Sequence, residues 1–229
     1  MTEKLSMDAN TFALYIHELR NQCMYTEAAL GLFNQALEKQ SKTGAFFAAQ
    51  SFLTSASQVA RLLWPGRAKA KRRGETLRAA LGLPEKFPLN DDRLRNLWDY
   101  ADEKTDDWIN GSKEQVIAFD FLGPKSALGE KQPEDRHIYR LFDPETSRFY
   151  FRGEIFNLQE IASQVAGVAQ QINKAHDQLF PKQQAEGEKP EGANDGEQPK
   201  TDAANDAAND SEQPKAENKT EEKADSQDS

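Results

Sequence analysis

LNDDRLRNLWDYADEKTDDWING, residues 89–111, is the stretch whose reading decides the fold. Asn90, Asp91 and Asp92 offer side-chain acceptors for the free N–H groups of a helix start, and Gly111 offers a stop, so the segment reads as one capped helix. Leu94, Trp98, Ala101, Thr105 and Trp108 follow at spacings of four, three, four and three, which builds a core-facing stripe that Leu97 widens. The other faces carry Arg95, Asn96, Asp99, Tyr100, Asp102, Glu103 and Asp106. Periodicity alone reads them as a solvated acidic face with Arg95 paired to Asp99 one turn on.

Working back toward the N-terminus, residues 8–40 place Phe12, Ile16, Leu19, Cys23, Leu30, Phe33 and Leu37 on one stripe, with a gap near Thr26. At about 1.5 Å per residue this is a rod of roughly 45 Å, a bundle helix by length. Residues 43–63 are apolar or small nearly all round, which suits the middle of a bundle, and Pro65-Gly66 ends them. Arg67, Lys69, Lys71, Arg72 and Arg73 come next, flanked by Arg61 and Arg78 and interrupted only by Glu75. Such a cluster reads either as a phosphate-binding patch, gaining from counterion release, or as a solvated helix face. A short helix over residues 75–81 ends at Gly82, and a linker bounded by Pro84 and Pro88 leads into the central segment.

Past Gly111 the period changes. Residues 116–122 form a short apolar run ending at Gly123-Pro124, and residues 137–142 alternate in part. Asp143-Pro144-Glu145-Thr146 has Asp and Pro at the first two positions of a type I turn, and the aromatic-rich residues 148–151 return. This is a β-hairpin insert at about 114–156, with residues 116–122 as a candidate third strand and a polar, mobile link over 125–136. Asn157 with Glu160 resembles a capping box, and Ile161, Val165, Val168, Ile172, Ala175 and Leu179 repeat at heptad spacing in the last helix.

Composition divides the chain. From Pro181 onward there is no Val, Ile, Leu, Met, Cys, Phe, Trp or Tyr, so residues 181–229 read as a disordered low-complexity tail. That tail holds 6 Lys against 14 Asp and Glu, a charge of −8 out of the chain's −9, which leaves residues 1–180 near neutral as the helical domain. One cysteine excludes an internal disulfide and a cysteine-rich zinc site, and His17, His137 and His176 have no metal-ligand spacing, so neither metal nor cofactor is expected. There is no Walker loop, dinucleotide fingerprint or G-x-S-x-G. No apolar run reaches the ~18 residues of a membrane span, and the N-terminus has no signal pattern, so the reading is cytoplasmic.

The order of long helix, buried helix ending in Leu62-Leu63-Trp64-Pro65, basic segment and Arg95-Asn96-Leu97-Trp98-Asp99-Tyr100 resembles the HEPN (higher eukaryotes and prokaryotes nucleotide-binding) superfamily. It is similar in particular to bacterial helical-bundle members with R-N-H-F-E-H, an acidic stretch and Trp, matched here by Asp102-Glu103 and Trp108. The likeness spans about residues 8–180. It implies a mainly α fold, a HEPN-like four-helix bundle with the β-hairpin insert before the last helix, dimeric, with an R-x4-6-H motif from each subunit cutting RNA without a metal. Here the motif is degenerate: Tyr100 stands where the family has His, and a phenol with a pKa near 10 is a weak acid–base group at neutral pH. The expectation is therefore a nucleotide- or RNA-associated protein of the toxin, defence or stress type with a decayed catalytic motif. Arg95 and Tyr100 hold the former catalytic positions; Arg67, Lys69, Lys71, Arg72, Arg73 and Asn96 contact phosphate or nucleic acid. A homodimer through the central helix and an antitoxin-like protein are the expected partners, with no membrane. Two rivals stand beside this reading: a non-catalytic interaction scaffold, and an active metal-independent ribonuclease.

Overall fold

The computed structural model describes residues 7–113, 115 and 117–181. The acidic tail beyond residue 181 lies outside the described residues, as does Val116 at the start of the apolar run. Helix α1 (Ala9–Glu38) is capped by Asp8, whose carboxylate accepts from the Thr11 N–H, and helix α2 (Lys42–Leu63) by Ser41, which accepts from the Gly44 N–H. The short connection makes them an antiparallel hairpin. The gap in the α1 stripe is filled by polar burial: Thr26 is 2% exposed, and its hydroxyl donates to the Gln22 carbonyl at 2.8 Å. Cys23 is buried beside it, and burial pushes its thiol pKa up to about 12. Because the thiolate is the nucleophile, maleimide at neutral pH is expected to label Cys23 only after denaturation. Mass spectrometry that found rapid native labelling would show that α1 opens.

Helix α3 (Lys71–Leu81) starts a turn earlier than its sequence pattern announces and stops at Gly82, which takes the left-handed φ of 66°. It crosses the end of α2 so closely that a Cβ on Gly74 would lie 2.4 Å from the Pro65 Cδ and 2.8 Å from the Leu63 carbonyl oxygen. Arg78, 8% exposed, pins this crossing by donating to the Leu63 carbonyl and to Glu85. Trp64, 1% exposed, stacks on Phe87 at 5.4 Å and donates its indole N–H to the Pro84 carbonyl.

The central segment is not one helix. It forms α4 (Asp92–Arg95) and α5 (Ala101–Gly111), separated by turns and by Tyr100 in the left-handed conformation at φ 52°. The stripe read from periodicity is split with it: Leu94 and Leu97 enter the core at 2% and 3% exposure, whereas Trp98 packs on Phe151 and Trp108 on Tyr139. The physical reason lies in the sheet. Arg152, 51 residues beyond Ala101, donates at 2.8 Å to the Leu97 carbonyl, which the break leaves without a helical N–H, and at 2.6 Å to the Ala101 carbonyl, which also accepts from the Thr105 hydroxyl.

That sheet has four strands, not a hairpin with an optional third: β1 (Ala118–Leu122), β2 (Ile138–Asp143), β3 (Arg148–Phe151) and β4 (Glu154–Asn157), in spatial order β1-β2-β3-β4. The pair β1–β2 is parallel and the other two pairs are antiparallel. Register puts Phe142, Phe149 and Phe156 in one row, facing the helical core, and Leu141, Tyr150 and Ile155 in the neighbouring row. That second row packs with Ile138, Phe121 and Leu128 as a separate cluster. The polar link over 125–136 contains two 3-10 turns and is closed by a Lys125–Asp135 ion pair at 2.5 Å. Helix α6 (Leu158–Leu179) follows directly, its Asn157 cap accepting from the Glu160 N–H while its amide donates to the Glu160 carboxylate. It lies against α1, with Val168 and Ile172 fully buried. No helix among the described residues is long and apolar enough to cross a membrane.

Candidate phosphate-binding cleft

The connection between α2 and α3 and the single turn of α4 enclose a cleft of about 770 Å³. Arg61, Arg67, Lys69, Arg73 and Arg95 line it, with Asn96 and the carboxylates Asp92 and Asp99. Five cations thus face two carboxylates. The carboxylates are already engaged: Asp99 accepts from Arg61 at 2.7 Å and Asp92 from Arg95. The pairing of Arg95 with Asp99 expected from helical spacing is replaced, because the segment leaves the helix after Arg95 and brings Asp99 to the end of α2. Arg67, Lys69 and Arg73 form no ion pair among the described residues.

The backbone adds to this. Lys71, Arg72 and Arg73 occupy the first turn of α3, where the helix dipole is positive, with no acidic residue there and no side-chain cap on Ala70. Three cations at that end oppose the dipole, an arrangement disfavoured locally that an anion would relieve. Arg73 is held by a bond from its guanidinium to the Arg61 carbonyl at 3.1 Å and by its position 5.4 Å over the Tyr15 ring. Arg95 is held more firmly: only 14% exposed, it donates to the Trp64 carbonyl as well as to Asp92. The buried Nε atoms of Arg73 and Arg95 have no partner.

Of the residues singled out in the sequence, the cleft brings together Arg67, Lys69, Arg73, Arg95 and Asn96. Lys71 and Arg72 are exposed on α3 and do not line it; Lys71 borders a smaller cavity beside Trp64 and Glu75. Tyr100 does not line it either, being 70% exposed beyond the break. Arg61 and Asp99 join the cleft by pairing with each other across 38 residues, which no local signal announces, whereas Asp92 pairs with Arg95 at the local i,i+3 spacing. Below the α4–α5 junction, burial lowers the pKa of Arg152, which has no carboxylate partner among the described residues and is held by carbonyls and the Phe151 ring at 4.6 Å. On α4, burial works to raise the Asp91 pKa, but the Arg93 side-chain and backbone hydrogen bonds outweigh it, so that carboxyl lies below its ordinary range. No group of three or more metal-ligating side chains is present among the described residues. His17 of α1 and His176 of α6 are stacked with their ring centroids 6.0 Å apart.

No family model, curated protein or solved structure matches the chain. Function is accordingly read from the cleft itself.

Proposed function

We propose that this protein binds RNA or a nucleotide through its phosphates in the α2–α3/α4 cleft, as a HEPN-like protein whose catalytic motif has decayed. In this reading α1, α2, α6 and the broken α4–α5 segment stand for the four bundle helices. The observation that supports it is the meeting of Arg95 and Asn96 with Arg61, Arg67, Lys69 and Arg73 around one cavity beside the cationic start of α3. Binding without cleavage is favoured over a ribonuclease because Tyr100, the only candidate for the missing His role, does not border that cavity. The toxin or defence setting, an antitoxin-like partner and a homodimer are parts of the HEPN-like reading. Leu97 is buried, Trp98 packs on Phe151 and Trp108 on Tyr139, both tryptophans remaining partly exposed.

The test is binding of a labelled single-stranded RNA, followed by fluorescence anisotropy with unfolding curves for each variant. Arg95→Ala is expected to weaken binding by about 1.5–3 kcal/mol, the range for a lost hydrogen bond to a charged group. Tyr100→Ala is expected to leave it unchanged. Equal affinity of Arg95→Ala and the unmodified chain would remove this reading in favour of an interaction scaffold.

A further inference from the structure

We propose that a second cleft, meeting the first at Asn96, is a nucleobase subsite centred on Trp108, so that the ligand is a single-stranded polynucleotide and not a duplex or a free phosphate. This rests on the phosphate reading of the first cleft and adds the part that reads bases.

The second cleft holds about 460 Å³, and Asn96, Lys104, Trp108, Phe151 and Arg152 are among its lining residues. Asn96 lines both cavities, so the two meet at that residue. Their chemistry differs. The first has no aromatic side chain in its lining, whereas the second sets the partly exposed Trp108 beside the buried Phe151 and among Arg93, Lys104, Arg136 and Arg152, with Asp107 and Glu154 also in its lining. Cations that follow a backbone, interleaved with aromatic faces, are the composition that holds unpaired bases by stacking.

Trp108 is prepared for that role. Its indole N–H donates to the Arg136 carbonyl at 2.8 Å, and its ring lies against Tyr139 at 5.1 Å and 53°. Its side chain is only half-buried, so the fixed ring is still reached from the cleft. A ring already immobilised by its own chain loses little rotamer entropy when a base stacks on it. The same floor is held by Lys104, whose ammonium donates to the Asn96 carbonyl, and by Arg152. A duplex keeps its base faces inside the stack, so an aromatic in a cleft can meet only an unpaired base.

The experiment uses the full chain and three probes: an oligouridylate, an RNA duplex of the same length, and inorganic pyrophosphate. Trp108→Ala is expected to weaken oligouridylate binding about tenfold or more, from the usual value of one stacked base, with pyrophosphate affinity unchanged. An oligothymidylate run in parallel assigns the strand to RNA or DNA, and the Trp108 effect is expected on whichever binds. Should Trp108→Ala fail to fold, ultraviolet crosslinking of the unmodified protein to oligouridylate replaces it, with the adduct expected on the peptide containing Trp108. Oligouridylate affinity unaltered by Trp108→Ala, duplex binding as tight as single-strand binding, or adducts confined to residues 61–73 would each overturn the base subsite and leave the phosphate cleft standing. Failure of the unmodified chain to bind either oligouridylate or pyrophosphate would remove the phosphate reading, and the subsite with it.

Discussion

Arg152→Ala is expected to lower the free energy of unfolding by about 2–4 kcal/mol, because it removes a charged donor and leaves the Leu97 carbonyl without a partner. Its guanidinium donates to the carbonyls of Leu97 and Ala101 and to the Thr105 hydroxyl at 3.2 Å, and it lies 4.6 Å over the Phe151 ring. The Leu97 carbonyl lies in the break between α4 and α5, so this side chain stands in for the helical hydrogen bond that carbonyl forgoes, while the Ala101 carbonyl keeps the Thr105 hydroxyl. The backbone offers a control. Arg152 and Gly153 form the two-residue turn between β3 and β4 with φ of 49° and 77°, a conformation glycine adopts without penalty and alanine does not. Arg152→Gly is therefore expected to be milder than Arg152→Ala by roughly 1 kcal/mol while losing the same side-chain bonds. Urea unfolding of the three proteins measures both effects. Loss of less than ~0.5 kcal/mol in Arg152→Ala, the size of an ordinary surface substitution, would show that burial of Leu97 and Trp98 alone holds the junction.

Reversing charge at the rim of the first cleft is expected to have the larger consequence for binding. The double variant Arg67→Glu/Lys69→Glu turns five cations facing two carboxylates into three facing four. Both residues are exposed and neither has an ion-pair partner among the described residues, so stability is expected to stay within ~0.5 kcal/mol of the unmodified chain. Single-stranded RNA affinity is expected to fall about 100-fold or more at low ionic strength, with the log–log salt slope flattened by roughly 0.7 for each phosphate that is no longer neutralised. Titrations at several salt concentrations check both quantities together. An affinity that drops with no change of slope would point to altered shape instead of weaker phosphate neutralisation, and an affinity that stays put would exclude this rim from the site.

These two residue groups also mark where sequence reading works and where it stops. Helices α1 and α6 were legible because their buried residues recur at helical spacing, and α2 because it is apolar or small nearly all round; the Asn157 cap was legible because it acts on an N–H group three residues away. The β2–β3 turn was legible for the same reason, since Asp143 accepts from the Glu145 N–H within its own turn. Strand β4 was missed although Arg152-Gly153 lies before it; the arginine hid a turn that Asn or Asp would have announced.

The cleft divides along the same line. The presence of a basic cluster, of Arg95 and of Asn96 is a property of the chain read residue by residue. Which of those groups meet is not. Arg61 finds Asp99 across 38 residues, Arg95 finds the Trp64 carbonyl across 31, and Arg152 reaches Leu97 across 55. Local periodicity favoured one continuous helix through Tyr100, and the competing tertiary bonds of Arg95 and Arg152 outweighed it. Helical propensity is worth at most tenths of a kcal/mol per residue, whereas a charged donor to a buried carbonyl is worth about 1.5–3 kcal/mol. So the sequence by itself determined helices α1, α2 and α6, the Asn157 cap and the supply of cations. Only the tertiary structure decided where the central segment breaks and which cations line one cavity, because those choices are set by bonds between segments that no local window contains.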